Sequence, residues 1–339
     1  MAFPLKVIAA TGERFSDFSP FVPSINELGV VAFQAALVKG GSGIFTGRGD
    51  AITTVVDTTG REYSRFYSHP DINSQGVLSI YAEDTDGNCG VYIAIGNSLI
   101  SVADTVGTFG KIGPLGPTMN NEGVVAFRAE LKSGVSGVFT SHVGSRLVIV
   151  ADTDKFSEFN GIPVVNNNNT VVFRAGLNNG TQGIYQMEGK VLSTVAETGE
   201  RFLELGSFPS LNDKDAVVFT ALQQDETYGV FKCSDQRIET IIDSKGPFES
   251  FRGALIKGSG SIIFYGTPRG GTLGIYRGAD PVLDRILGIG DPLFDSKVVD
   301  FALNPVSYND AGQIVLRVAL EDRRQFIVLA DLGLAKGLR

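Results

Sequence analysis

An Asn-x-x-Gly turn followed by an apolar Val-Val-x-Phe-x-Ala run begins at Asn26 and returns near Asn73, Asn120, Asn166, Asn212, Lys257 and Asn309, at intervals of 45 to 52 residues. A unit repeated at this period cannot bury its apolar faces alone and must pack against its neighbours. Because the unit is filled with β-branched and aromatic residues, the repeat is that of a propeller blade. The sequence therefore predicts an all-β fold, a seven-bladed β-propeller of four-stranded blades. Residues 1–332 are expected to form one domain, with 333–339 a short tail.

The third repeat shows how a blade is written. Residues 117–119 read as a first strand, 120–123 as a tight turn, 124–131 as a second strand, 137–140 as a third and 146–151 as a fourth. The last turn position takes glycine because it demands positive φ. Asn169 and Asp215 replace it in repeats 4 and 5, and both types tolerate that geometry. A Thr-Gly-x-x-Phe stretch follows the fourth strand, as in Thr11-Gly12 with Phe15 and Phe18. Its paired aromatics are expected to wedge between blades. Repeat 7 supplies three strands (305–308, 313–320, 325–330), and the missing fourth lies at residues 5–10. Both ends of the chain thus complete one blade and remove an open sheet edge.

Composition narrows the function. Hydrophobic residues make up 43% and charged residues 19%, as in a well-buried globular body. A net charge of −8 and no Lys/Arg run argue against a nucleic-acid surface. No apolar stretch is long enough to span a bilayer. The two cysteines, Cys89 and Cys233, fall in repeats 2 and 5, too far apart around a ring to be bridged. Free thiols and the lack of a signal-peptide pattern at residues 1–6 predict a cytoplasmic monomer, or an exported one if a leader has been removed.

The phrases Asn26-Glu27-Leu28-Gly29-Val30-Val31-Ala32-Phe33 and Asn120-Asn121-Glu122-Gly123-Val124-Val125-Ala126-Phe127 resemble bacterial, often cyanobacterial, tandem-repeat proteins with an N-x-x-G-x-x-x-F pattern. The resemblance spans nearly the whole chain and implies a propeller. Many of those proteins carry a leader and a sorting anchor, and neither is apparent here. The repeats are also similar to the propeller domain of cyanobacterial enzymes that alkylate resorcinol rings with alkyl halides in cylindrocyclophane biosynthesis. That likeness implies an enzyme of specialised metabolism without assigning any catalytic residue in this chain.

What recurs in every blade holds the fold, so chemistry is sought among the exceptions. The first-strand position occupied by Ser24, Asp71, Thr118, Val164, Ser210, Leu255 and Ser307 is expected to ring the channel mouth on the face of the strand four-to-one loops. Tyr67, His69, Asp71 and Arg252 form the candidate catalytic set. A carboxylate could orient the imidazole for acid–base work, and an arginine could hold an anion. Arg65, Lys111 and Asn160 are candidate binding residues nearby. Arg128, Arg174 and Arg317 follow the strand phenylalanine, and are expected either to pair with Asp152 and Glu197 or to project toward a ligand. His142 is read as incidental on the opposite face, and two separated histidines argue against a transition-metal site, so neither metal nor cofactor is expected. Asp84-Thr85-Asp86-Gly87-Asn88 resembles part of a calcium loop but reads better as a hairpin turn. The enlarged 288–300 segment is expected to carry specificity. Nucleophile-elbow, Walker and dinucleotide patterns do not occur. Two functions remain: a module binding a small molecule or peptide at the channel mouth, or an enzyme of specialised metabolism (cyclase, alkylating enzyme, lyase or hydrolase) using the same mouth.

Overall fold

The structure, a computed structural model, describes residues 3–49, 51–60, 62–96 and 98–333. Of the expected tail, only Gly333 lies among them. Seven antiparallel sheets succeed one another as blades of a propeller. Blades 1 to 6 run through residues 15–57, 63–104, 109–152, 158–197, 202–243 and 248–288. Blade 7 combines residues 292–331 with the N-terminal strand Leu5–Ala10, which pairs antiparallel with Gln325–Asp331.

The second strand of each blade is mostly apolar because both of its faces are covered. In Val31–Leu37 of blade 1, Val31, Phe33 and Ala35 pack toward blade 7, while Ala32 packs against Phe66 and Ile72 of blade 2. Three aromatics knit together each of blades 1, 3, 4, 5 and 6. In blade 1, Phe15 meets Phe33 edge-on with centroids 5.7 Å apart, and meets Phe45 at 4.9 Å. Phe202, Phe219 and Phe231 repeat the arrangement in blade 5. Such pairs stabilise by about 0.5–1.5 kcal/mol beyond burial. The third-strand ring folds back over the residue two before it, so that residue is glycine. A Cβ on Gly229 would lie 2.8 Å from the Phe231 ring.

The first strand is longer than the sequence suggested and, in most blades, is broken in two. Phe15–Asp17 pairs with Leu37 and Ala36, and Ser24–Ile25 pairs with Ala32 and Val31 of the same second strand. The Thr-Gly-x-x-Phe stretch is therefore the first half of strand one. It is also the expected wedge: Phe15 and Phe18 share a buried cluster with Ile8, Ala9, Val315 and Ile327 of blade 7. Pro23, Pro70, Pro117, Pro163 and Pro209 sit just before the second half. They are tolerated because strand one is a sheet edge and owes no ladder N–H there. In blade 7 the expected first strand at 305–308 shrinks to one bridge, Tyr308 to Ile314, and Ser296–Ala302 takes its place.

The recurring asparagine fastens blade to blade. Asn26 Oδ1 accepts the N–H groups of Leu28 at 3.1 Å and Val30 at 2.9 Å, which holds its own turn. Its Nδ2 donates across to the Asn73 carbonyl at 2.9 Å. Asn120 and Asn166 reach the next blade in the same way, and Asn309 closes the circle on the Asn26 carbonyl at 2.9 Å. Only a side chain that both accepts and donates can do this. Asn166→Ala removes both acceptor bonds and both donor bonds, to Asn212 and Asp215, at a residue 5% exposed. It is expected to lower stability by about 2–4 kcal/mol, read as a lower urea midpoint at unchanged slope. Asn166→Asp keeps the acceptor but sets a carboxylate against the Asn212 carbonyl, so it is expected to recover stability on acidification. An alanine variant as stable as the parent would contradict the fastening.

Candidate functional site

Each first strand runs from the strand four-to-one linker to the asparagine turn, so its two halves lie toward opposite ends of the axial channel. At the asparagine end is a cavity of about 200 Å³ lined by Ile25, Asp71, Thr118 and Val164 with the turn residues Glu27 and Lys257. The ring expected on the linker face thus belongs to the other mouth, because strand one is longer than expected. Two of its hydroxyls donate across blade seams. Ser307 Oγ donates to the Pro23 carbonyl at 2.6 Å, and Thr118 Oγ1 to that of Pro163 at 2.9 Å.

Asp71 occupies one of these fastening positions. Its carboxylate accepts the Met119 N–H of blade 3 at 2.7 Å and the Ile72 N–H at 2.8 Å. Burial pushes its pKa up to about 7, against the pull of those two donors and of the Lys257 ammonium. His69 is 4% exposed; its Nδ1 lies 3.1 Å from Ser68 Oγ, and its Nε2 is buried without a partner. Burial pushes this imidazole down to about 4, so it stays neutral. Tyr67 donates to Glu83 and lies 5.0 Å from the Tyr81 ring; the Glu83 hydrogen bond and burial push its phenol up to about 12. Arg252 is exposed on the first strand of blade 6, while Tyr67, His69 and Asp71 belong to blade 2. Among the described residues no hydrogen bond or ion pair joins any two of the four. The acid–base constellation is not assembled.

The residue after the strand-two phenylalanine has a structural explanation. Gln34 donates to the Phe66 carbonyl at 3.0 Å, Tyr81 to that of Ile112, Arg128 to that of Phe159, and Tyr265 to that of Leu303 at 3.0 Å. Each is a long donor reaching the next blade where its first strand ends its first half. The expected ion pairs with Asp152 and Glu197 do not form. Arg317 binds Asp300 at 2.8 Å, and Glu197 accepts from Tyr185 instead. Arg128 and Arg174 are half-buried and make no ion pair among the described residues, and the Nε of each is buried without a partner. Burial lowers both pKa values.

Near the linker end, a bulge within strand one recurs in six blades, as at Phe15/Asp17, Tyr63/Arg65 and Phe109/Lys111. Bulges re-aim side chains. The position after it holds Asp17, Arg65, Lys111, Glu204, Ser250 and Asp300, and Glu158 stands at the same place in blade 4, where the ladder is regular. Arg65 and Lys111 are visible from sequence, but their membership of one ring is not until the aromatics on either side are recognised as strand. Asn160 follows Phe159 and pairs in register with Arg174. Lys257 was missed as a channel residue, although it stands where six repeats carry asparagine. Asp84 accepts the N–H groups of Asp86 and Asn88, making the 84–88 segment a turn. The 288–300 segment folds into a hairpin in which Asp291 pairs with Arg285 at 2.8 Å. Among the described residues both cysteines are free, and no helix is long and apolar enough to cross a membrane.

With this geometry in hand, comparison with known proteins fixes the family. A profile described as a family of unknown function (DUF7453) matches residues 6–325. The chain belongs to this family. No curated protein matches it. Among solved structures it is similar to the β-propeller domain of the Trilobed protease from Pyrococcus furiosus, with a TM-score of 0.60, 11% identity, and coverage of 92% of this chain and 96% of that one. It is also similar to an oligogalacturonate lyase from Vibrio parahaemolyticus, with a TM-score of 0.60, 10% identity and 98% of each chain covered. A puromycin-hydrolyzing peptidase of Mycobacterium tuberculosis matches with a TM-score of 0.60 at 12% identity, over 98% of this chain and 55% of that chain. At these identities the likeness is one of fold.

Proposed function

We propose that this DUF7453 protein is a binding propeller that captures a small molecule or peptide at the linker-face mouth of its channel. One observation carries the reading. The position after the strand-one bulge, held by Glu158 in blade 4, has no recurring side chain and no fastening role shared by all blades, and its side chains are exposed or half-exposed. Its charge is segregated: Arg65 and Lys111 stand on blades 2 and 3, while Glu158 and Glu204 stand on blades 4 and 5. A ring with no structural duty common to every blade, and uneven in charge, suits recognition.

The test is nuclear magnetic resonance of the labelled chain against acidic, neutral and basic tripeptides and monosaccharides. Shifts are expected to concentrate on the first halves of the strands, and Lys111→Glu is expected to abolish those caused by acidic probes. Shifts confined to the asparagine-turn mouth would overturn the reading. The second reading, an enzyme of specialised metabolism, draws support from the lyase and peptidase that share this fold. It is distinguished in the same tubes, because a bound probe returns unchanged from a binder and altered from an enzyme.

A further inference from the structure

Resting on that reading of the linker face, we propose that the seam between blades 3 and 4 holds an oxyanion, the carboxylate or phosphate group of a small ligand, between Arg128, Lys111 and Asn160, with Arg174 flanking it from the next seam. Blade 7 shows what this position looks like when it is neutralised within the chain. There Arg317 binds Asp300, which follows the bulge in the same blade's first strand, at 2.8 Å. In blade 3 the residue after the bulge is Lys111, so the repeat sets a second cation where blade 7 sets the counter-ion.

The other groups at this seam leave the charge uncompensated. Arg128 spends one nitrogen on the Phe159 carbonyl and, unlike Arg317, has no carboxylate partner among the described residues, while the Nε of both is buried without a hydrogen bond. Glu130 faces Lys111 across the strand pair, but it is exposed, and its carboxylate lies 3.5 Å from Ser136 Oγ. Glu158, beside Arg174, acts on it through space without an ion pair, and its carboxylate accepts from Gln182 at 2.9 Å. A half-buried guanidinium without a counter-ion has lost hydration with little in return. An arriving oxyanion meets a planar fork that matches carboxylate and phosphate geometry, in surroundings where the attraction is less screened than in water. Asn160 adds a side-chain amide beside the same seam.

The experiment is isothermal titration calorimetry of the full chain at low ionic strength, with inorganic phosphate in one arm and citrate in the other. Whichever arm binds more tightly identifies the source of the oxyanion. Arg128→Gln removes the charge but keeps a donor, since Gln34 makes the same reach in blade 1. Arg128→Gln and the exposed Lys111→Gln are each expected to weaken binding roughly tenfold or more, the loss of one charged hydrogen bond, at unchanged melting temperature. Arg317→Gln, whose charge is already paired, is expected to leave the affinity unaltered. Absence of saturable binding in both arms overturns the proposal, as does equal weakening by Arg317→Gln or parental affinity in Arg128→Gln. Neutral probes shifting the linker-face first halves of the strands while phosphate and citrate fail to bind overturn the oxyanion site alone and leave the broader binding reading standing.

Discussion

Deletion of residues 1–10 is expected to cost a large share of the stability of the entire ring. The N-terminal strand carries the outer edge of blade 7, pairing from Leu5 with Ala330 to Ala10 with Phe326 around a bulge at Ile8. Beside it, Thr11 and Gln325 exchange hydrogen bonds at 2.9 Å, N–H to carbonyl one way and N–H to hydroxyl the other. Ile8 and Ala9 are 5% and 3% exposed, in the cluster that joins blade 7 to blade 1 through Phe15 and Phe18. Losing that burial and the ladder bonds of Leu5–Ala10 costs on the order of 5–10 kcal/mol, against a typical total of roughly 5–15 kcal/mol for a domain. The cut also bares Gln325–Asp331 as an unpaired edge, which invites association. Urea unfolding followed by circular dichroism, with size-exclusion chromatography, should show a broad early transition and oligomers. A synthetic peptide of residues 1–15, added in excess, should restore both. A truncated chain that melts within a few degrees of the parent would show that the ring does not depend on this closure.

That closure was legible in the sequence, because repeat 7 ends one strand short and residues 5–10 carry the missing pattern. The seven blades and the positive φ of Asn169 and Asp215, at 63° and 58°, were legible for the same reason: local chemistry recurred in register. The candidate site was less so. The sequence places His69, Pro70 and Asp71 together, but strand geometry decides which groups meet. The first strand has two halves separated by proline-containing segments, and the Thr-Gly-x-x-Phe motif hides the first half as a linker. Counting from the motif rather than from the asparagine turn therefore put Asp71 at the wrong mouth. Arg128 shows a second limit. Its equivalents Gln34, Tyr81 and Tyr265 have no common chemistry except a donor at the end of a long side chain, and the shared carbonyl target is apparent only across a blade seam.

His69 and Asp71 set opposite pH dependences that are expected to cancel in the parent protein and to emerge when either is removed. The Asp71 carboxyl titrates near 7 when folded and near 3.8 when unfolded, so between those values the folded state holds the extra proton. Its contribution to stability is therefore largest at low pH and falls as pH rises to about 7. The His69 imidazole titrates near 4 when folded and near 6.5 when unfolded, so between those values the unfolded state holds the extra proton. Its contribution falls as pH drops from 6.5 to about 4. Over most of that window each state carries one proton on the pair, and the two slopes offset. Asp71→Asn retains an acceptor for the Met119 N–H and leaves the histidine alone, so its stability should rise with pH between about 4.5 and 6. His69→Gln leaves the carboxyl alone, so its stability should fall over the same range. Each slope should approach about 1.4 kcal/mol per pH unit. Urea midpoints at half-unit pH steps measure all three proteins. Parallel pH profiles in the two variants would show that neither group is held in the buried state described for it, and opposite slopes around a flatter parent would confirm that both are.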